Sequence, residues 1–152
     1  MSIGHGVSFR DVDNDGDEDI YMVVGGAYSG DISQNCLFKN PGTSNNWLNL
    51  KLEGSTSNKS AIGARVKIAL VDQDGSPKFL HRTVDTGGSF GSNSLELEIG
   101  LGALSSIDYV EVKWPNAAQS KSIYKKLQAN KAYLLKENQD KPRERKFEKI
   151  AL

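Results

Sequence analysis

The sequence predicts an all-β protein, a small antiparallel β-sandwich or barrel preceded by a few strands around an acidic loop. Three observations predict it. Short runs such as WLNLKLEG (47–54), ARVKIALV (64–71) and SLELEIGLG (94–102) alternate apolar and polar residues with period two, the mark of half-buried strands in packed sheets. Turn residues separate these runs at short, fairly regular spacing. Near the start, DVDNDGDEDIY (11–21) places six acidic residues among eleven, far more negative charge than a solvated turn needs.

The elements follow in order. GVSF (6–9) leads into the acidic loop, and DIYMVVG (19–25) is a β-branched and aromatic strand. CLFKN (36–40) is a third strand, closed by Pro41-Gly42. The turn-rich NPGTSNN that follows is read as a boundary. The domains are therefore 1–45, a short stranded segment with the acidic loop; 46–137, a β-sandwich; and 138–152, a charged tail. In the sandwich, Leu48, Leu50 and Leu52 share one face, as do Val66, Ile68 and Leu70. Asp74-Gly75 marks a hairpin before FLHRTV (79–84). Leu95, Leu97, Ile99 and Leu101 alternate strictly, then Val110, Val112 and Trp114, and SIYKKL and KAYLLKE complete the set. In the tail, Phe147, Ile150 and Ala151 have helical spacing, consistent with a short marginal helix or with disorder.

Composition narrows the functional classes. The chain has 152 residues, 38% of them hydrophobic, with a formal net charge of zero. No apolar run approaches the ~18 residues of a membrane span, and no signal peptide is visible. Charge is unevenly placed: residues 1–35 carry one arginine against seven carboxylates, and residues 121–149 carry ten basic against four acidic residues. The basic end is read as a solvated tail, with contact to an anionic partner as the rival and no nucleic acid expected. A lone Cys36 excludes an internal disulfide.

Carboxylates fall at positions 1, 3, 5, 7 and 9 of the acidic loop: Asp11, Asp13, Asp15, Asp17 and Asp19, with Gly16 at position 6. Their repulsion is relieved by a hard cation at the centre, and calcium takes 6–8 oxygen ligands in flexible geometry. The expected ligands are side-chain oxygens of Asp11, Asp13, Asp15 and Asp19 and the main-chain carbonyl of Asp17. An EF-hand is excluded, because its twelfth position requires Glu and here is Met22. Magnesium, which keeps several waters, fits less well.

GHGVSFRDVDNDGDEDIY resembles an FG-GAP (VCBS-type) repeat, the calcium-bearing blade motif of integrin-like β-propellers. NKSAIGARVKI, GGSFGSNSLELEIGLG and IDYVEVKWPN resemble the ASPIC/UnbV domain, which follows such repeats in secreted bacterial proteins and cartilage acidic proteins. The resemblance spans Gly4 to Glu137. It implies that residues 1–45 are a partial repeat, a partial β-propeller blade with a calcium loop, and that 46–137 are the ASPIC/UnbV-like sandwich. It implies calcium at the aspartates already named, no catalytic residues, and a secreted, periplasmic or cell-surface setting. It also implies that this chain is the C-terminal part of a longer propeller-containing protein.

The remaining motifs are read structurally. GGSFGS (87–92) lacks the Lys-Ser/Thr of a phosphate loop, and SIYK (122–125) matches one of three motifs a penicillin-binding enzyme needs. His5 and His81 have no metal-ligand spacing. Trp47 and Trp114 are read as packing residues, with a sugar-stacking role as the rival. Asn58-Lys59-Ser60 is a glycosylation sequon. No nucleophile, base or cofactor loop is present, so an enzyme is not expected. The function expected is a calcium-binding extracellular module for adhesion or protein–protein contact with a protein or glycan partner. The alternative is a carbohydrate-binding accessory domain of a secreted enzyme.

Overall fold

The structure, a computed structural model, describes residues 4–25, 30, 33–87 and 93–150. Asp31 and the glycine loop at 88–92 lie outside the described residues. The chain divides into two units: Met1–Thr43 with Thr86–Ser94 and Glu148–Leu152, and Ser44–Asp85 with Leu95–Phe147. All regular structure among the described residues is strand.

The first unit holds a three-stranded antiparallel sheet, β1 (Gly4–Arg10), β2 (Asp19–Val24) and β3 (Cys36–Phe38), in the order β1-β2-β3. The acidic loop joins β1 to β2, and Arg10 pairs with Asp19 where the two strands meet it. Phe9, Ile20 and Phe38 stand in one row across the sheet and are all exposed.

The second unit contains β4 (Asn46–Glu53), β5 (Arg65–Val71), β6 (Pro77–Thr83), β7 (Leu97–Gly102), β8 (Ser106–Lys113), β9 (Lys121–Tyr124), β10 (Lys131–Lys136) and β11 (Arg143–Arg145). They form two four-stranded sheets, β11-β10-β4-β7 and β6-β5-β8-β9, neither closed into a barrel. One buried core is shared between them. Leu48, Leu50, Ile99 and Leu135 come from the first sheet, and Val66, Ile68, Val110 and Val112 from the second. These are the apolar members of the period-two runs, so alternation set the buried face of each strand. The Tyr124 hydroxyl, on β9, donates to the Lys136 carbonyl at the end of β10 (2.7 Å) and ties one sheet to the other. Burial pushes this phenol up to about 12.

Two expectations are corrected. The sandwich is not wholly antiparallel, because β10 runs parallel to β4, with Tyr133 opposite Leu50. Period two identifies the buried face of a strand but is silent on the direction of its neighbour. The tail forms no helix among the described residues. Arg143–Arg145 instead adds to β10 as an edge strand, since an available sheet edge supplies hydrogen bonds that a short isolated helix cannot match.

The loop after β4 is closed by a buried carboxylate. Glu137, just beyond β10, is 3% exposed. Its Oε2 accepts from the backbone amides of Ser55 (2.7 Å), Thr56 (2.8 Å) and Ser57 (2.8 Å). Its Oε1 accepts from the Ser57 hydroxyl (2.9 Å) and Asn116 Nδ2 (2.6 Å). Three successive amides converging on one oxygen make an anion-binding nest. Gly54 permits it, because a Cβ there would lie 2.2 Å from the Asn58 carbonyl oxygen. Burial by itself would raise the carboxyl, but the donors from Ser57, Ser55 and Asn116 outweigh it and hold Glu137 at about 2, against an ordinary 4.5.

A depressed carboxylate contributes stability above its unfolded value and loses it as pH falls toward its folded value. Glu137→Gln should therefore cost roughly 3 kcal/mol at neutral pH, a drop of roughly 6–12 °C in melting temperature. The gap to wild type should close as pH falls from 4.5 toward about 2. Thermal melts across that range check it, and a gap independent of pH would refute the charge argument. Gly54→Ala should destabilise by about 2 kcal/mol or more through the clash with Asn58, read in the same melts.

Candidate metal centre

The acidic loop folds back on itself through its own carboxylates. Asp11 Oδ1 accepts from the Asp15 amide (3.0 Å) and Oδ2 from the Gly16 amide (2.9 Å), and Asp15 Oδ1 accepts from the Asp17 amide (3.1 Å). The tight path needs residues that tolerate left-handed backbone, and Asn14 (φ 58°) and Gly16 (φ 102°) supply it.

Asp11, Asp13 and Asp15 each bring a carboxylate oxygen within 4.8 Å of the other two. Asp17 and Asp19 turn theirs elsewhere. Asp17 accepts from the Thr43 amide (3.0 Å) and hydroxyl (3.3 Å). Asp19, buried, accepts from the Val12 amide (3.0 Å) and the Asn40 amide (2.8 Å) and so braces the loop against the segment after β3. Of the five aspartates singled out by spacing, three form the cluster and two anchor it.

Asp13 is the most unusual of the three. It is 0% exposed, and its Oδ1 has no hydrogen-bond partner. Lys39 Nζ lies 2.5 Å from Oδ2, a charge-assisted contact. That ammonium holds Asp13 below the ordinary carboxylate range despite burial. Asp11 moves the other way: burial raises it, the Gly16 and Asp15 amides oppose this, and the charges of Asp15 and Asp13 raise it further. A fold that raises one carboxyl and buries another with one oxygen lacking a donor fits a group that would bring positive charge to these atoms. Each carboxylate oxygen has two lone pairs, so one that accepts an amide can also meet a cation.

The cluster has partners that spacing within the loop did not reveal. Besides Lys39, the end of the chain lies along the loop: the Ile150 amide donates to the Asp13 carbonyl (2.8 Å), Asn14 Nδ2 donates to the Glu148 carbonyl (3.0 Å), and Lys149 Nζ is 3.6 Å from Asp15 Oδ2. The available signal was charge, the basic C-terminal region against the acidic front.

The other candidates are placed as follows. Trp114 is 1% exposed, with Nε1–H donating to the Ser122 hydroxyl (2.9 Å), and Trp47 is half-buried. Cys36 is a free, half-buried thiol on β3, and His81 is exposed on β6. Asn58 of the sequon closes its own loop, donating to the Ile62 carbonyl and accepting from the Ile62 amide (2.9 Å each).

A family model described as ASPIC and UnbV matches residues 54–142, more than half of the chain. The chain belongs to the ASPIC and UnbV family. No curated protein matches it. The ASPIC and UnbV match begins at Gly54 and takes in Glu137, so the nest and the carboxylate it holds both lie inside the family region, whereas the acidic loop precedes it.

Removing Lys39 should leave Asp13 buried without its nearest counter-charge. In chelator, Lys39→Met should therefore melt below wild type at neutral pH. The difference should shrink as pH falls through the carboxylate range, because a protonated Asp13 no longer needs the ammonium. Paired melts at neutral and acid pH check this. Equal melting at neutral pH would mean that Lys39 is incidental.

Proposed function

We propose that this protein is a calcium-binding, non-enzymatic extracellular module for adhesion or protein–protein interaction, in which the ion is structural. The observation that carries the reading is the Asp11, Asp13 and Asp15 cluster, with a buried Asp13 whose Oδ1 has no hydrogen-bond partner. In this reading Asp11, Asp13 and Asp15 hold the ion, aided by the Asp17 carbonyl and the Asp19 carboxylate. Calcium supplies positive charge that cancels the repulsion within the loop. The hydrogen bonds of Asp17 to Thr43 and of Asp19 to Asn40 then transmit that order to the chain after β3.

The first unit is read as an FG-GAP (VCBS-type) repeat and its sheet as part of a propeller blade. The exposed row Phe9, Ile20 and Phe38 supports this, because blades bury such faces against their neighbours. A secreted or periplasmic setting, and a longer chain containing further repeats, belong to the same proposal. The glycan-binding alternative drew on Trp47 and Trp114. Trp114 has no face open to a sugar, so we do not carry that reading forward.

Lys39 gives the proposal a specific character. Its ammonium neutralises Asp13 where an ion would act, so calcium must compete with an internal cation. Calcium at ~100 times its Kd should add ~2.7 kcal/mol of stability, a rise of several degrees at ~2–4 °C per kcal/mol. Magnesium should add less, and Asp13→Ala or Asp15→Ala should abolish the calcium-dependent rise. Melts in calcium, magnesium and chelator decide it, and indifference to all three would overturn the metal reading.

A further inference from the structure

A groove of about 860 Å³ opens beside β9 in the second unit. Its lining comes from both sheets: Ile123 on β9, Tyr133 on β10 and Glu144 on β11. Both β9 and β11 are edge strands, so among the described residues each has a strand neighbour on one side only. An open edge carries backbone donors and acceptors that another extended chain can take up.

The charge at the groove is one-sided. Lys125, Lys126 and Lys141 line it and make no ion pair among the described residues. Of the two carboxylates present, Glu144 is paired with Lys131 at 3.0 Å, which leaves Asp140 against three lysines. The lining has one well-exposed apolar side chain, Ile123, at 51%. Tyr133 is buried, and its hydroxyl accepts from the Gln128 amide (3.0 Å). The groove therefore presents no open aromatic face on which a sugar ring could stack.

We propose that this groove docks an extended acidic peptide segment of a partner protein, which adds alongside β9 with carboxylates facing Lys125, Lys126 and Lys141 and an apolar side chain against Ile123. Alternation along a bound strand presents polar and apolar side chains to different surfaces, which matches a basic rim beside a single isoleucine. The inference deepens the protein-interaction reading above and rests on it, but does not require calcium.

The test uses the full, isotope-labelled chain and a short peptide of alternating Glu and Val as probe. A Lys/Val peptide and a sulfated oligosaccharide serve as comparisons, each measured in calcium and in chelator. Saturable amide shifts over residues 121–126 and 140–144 are expected with the Glu/Val peptide alone, and they should weaken as salt rises. The K125E/K141E variant should lose about tenfold or more in affinity. Ile123→Ser, at an exposed outward position, should lose several-fold while melting like wild type. Absence of saturable shifts, equal binding of the Lys/Val peptide, tighter binding of the oligosaccharide, or unchanged affinity in the folded variants would each overturn the proposal. If calcium raises the melting temperature and the peptide fails to bind, this inference falls and the metal reading stands. Peptide binding that persists in chelator supports the groove independently of the ion.

Discussion

A buried carboxylate has to find donors or it cannot stay charged, and in the second unit that requirement ties together segments distant in sequence. Glu137 collects the amides of Ser55, Thr56 and Ser57 together with Asn116. Those partners lie after β4 and after β8, so one side chain fixes the end of β10 to both sheets. Asn116 in turn donates to the Ser120 hydroxyl and accepts from the Ser120 amide, ordering the turn that brings the chain into β9. The apolar core contributes more area, but area is non-directional and would tolerate a strand shifted along its length. A carboxylate with five donors at 2.6–2.9 Å does not.

The first unit meets the same constraint in a harder form. Its acidic loop gathers several like charges at once, and the fold answers with backbone amides for Asp11 and Asp19, with Thr43 for Asp17, and with the lysine ammonium for Asp13. A carboxylate satisfied by amides is in a settled environment. One matched mainly by the tip of a flexible, half-exposed lysine is not, since that lysine can swing into water at little cost. Asp13 is thus the point in the loop where one positive charge could be exchanged for another.

The alternating runs were legible because a half-buried strand leaves its burial pattern in the chain, and β4, β5, β7 and β8 carry it. β11 was not legible: Arg-Glu-Arg has no apolar alternation, and it is a strand only because β10 offers an edge. The spacing of Asp11, Asp13 and Asp15 is local and was readable. The diversion of Asp17 and Asp19 to Thr43 and Asn40 was not, because those donors arrive on a later segment. Glu137 looked like any charged residue at a strand end, since nothing near it in sequence announces a nest some eighty residues away.

By itself the sequence determined which faces are apolar, where turns fall, and that one short loop holds an excess of negative charge. These are properties of neighbours in the chain, set by a period of two and by residue type. The tertiary structure alone decided that β10 lies parallel to β4, that Glu137 is buried among amides, and that Lys39 reaches Asp13. Each of those is a meeting of distant segments, and a local pattern says which face of a strand is buried without saying what will be buried against it.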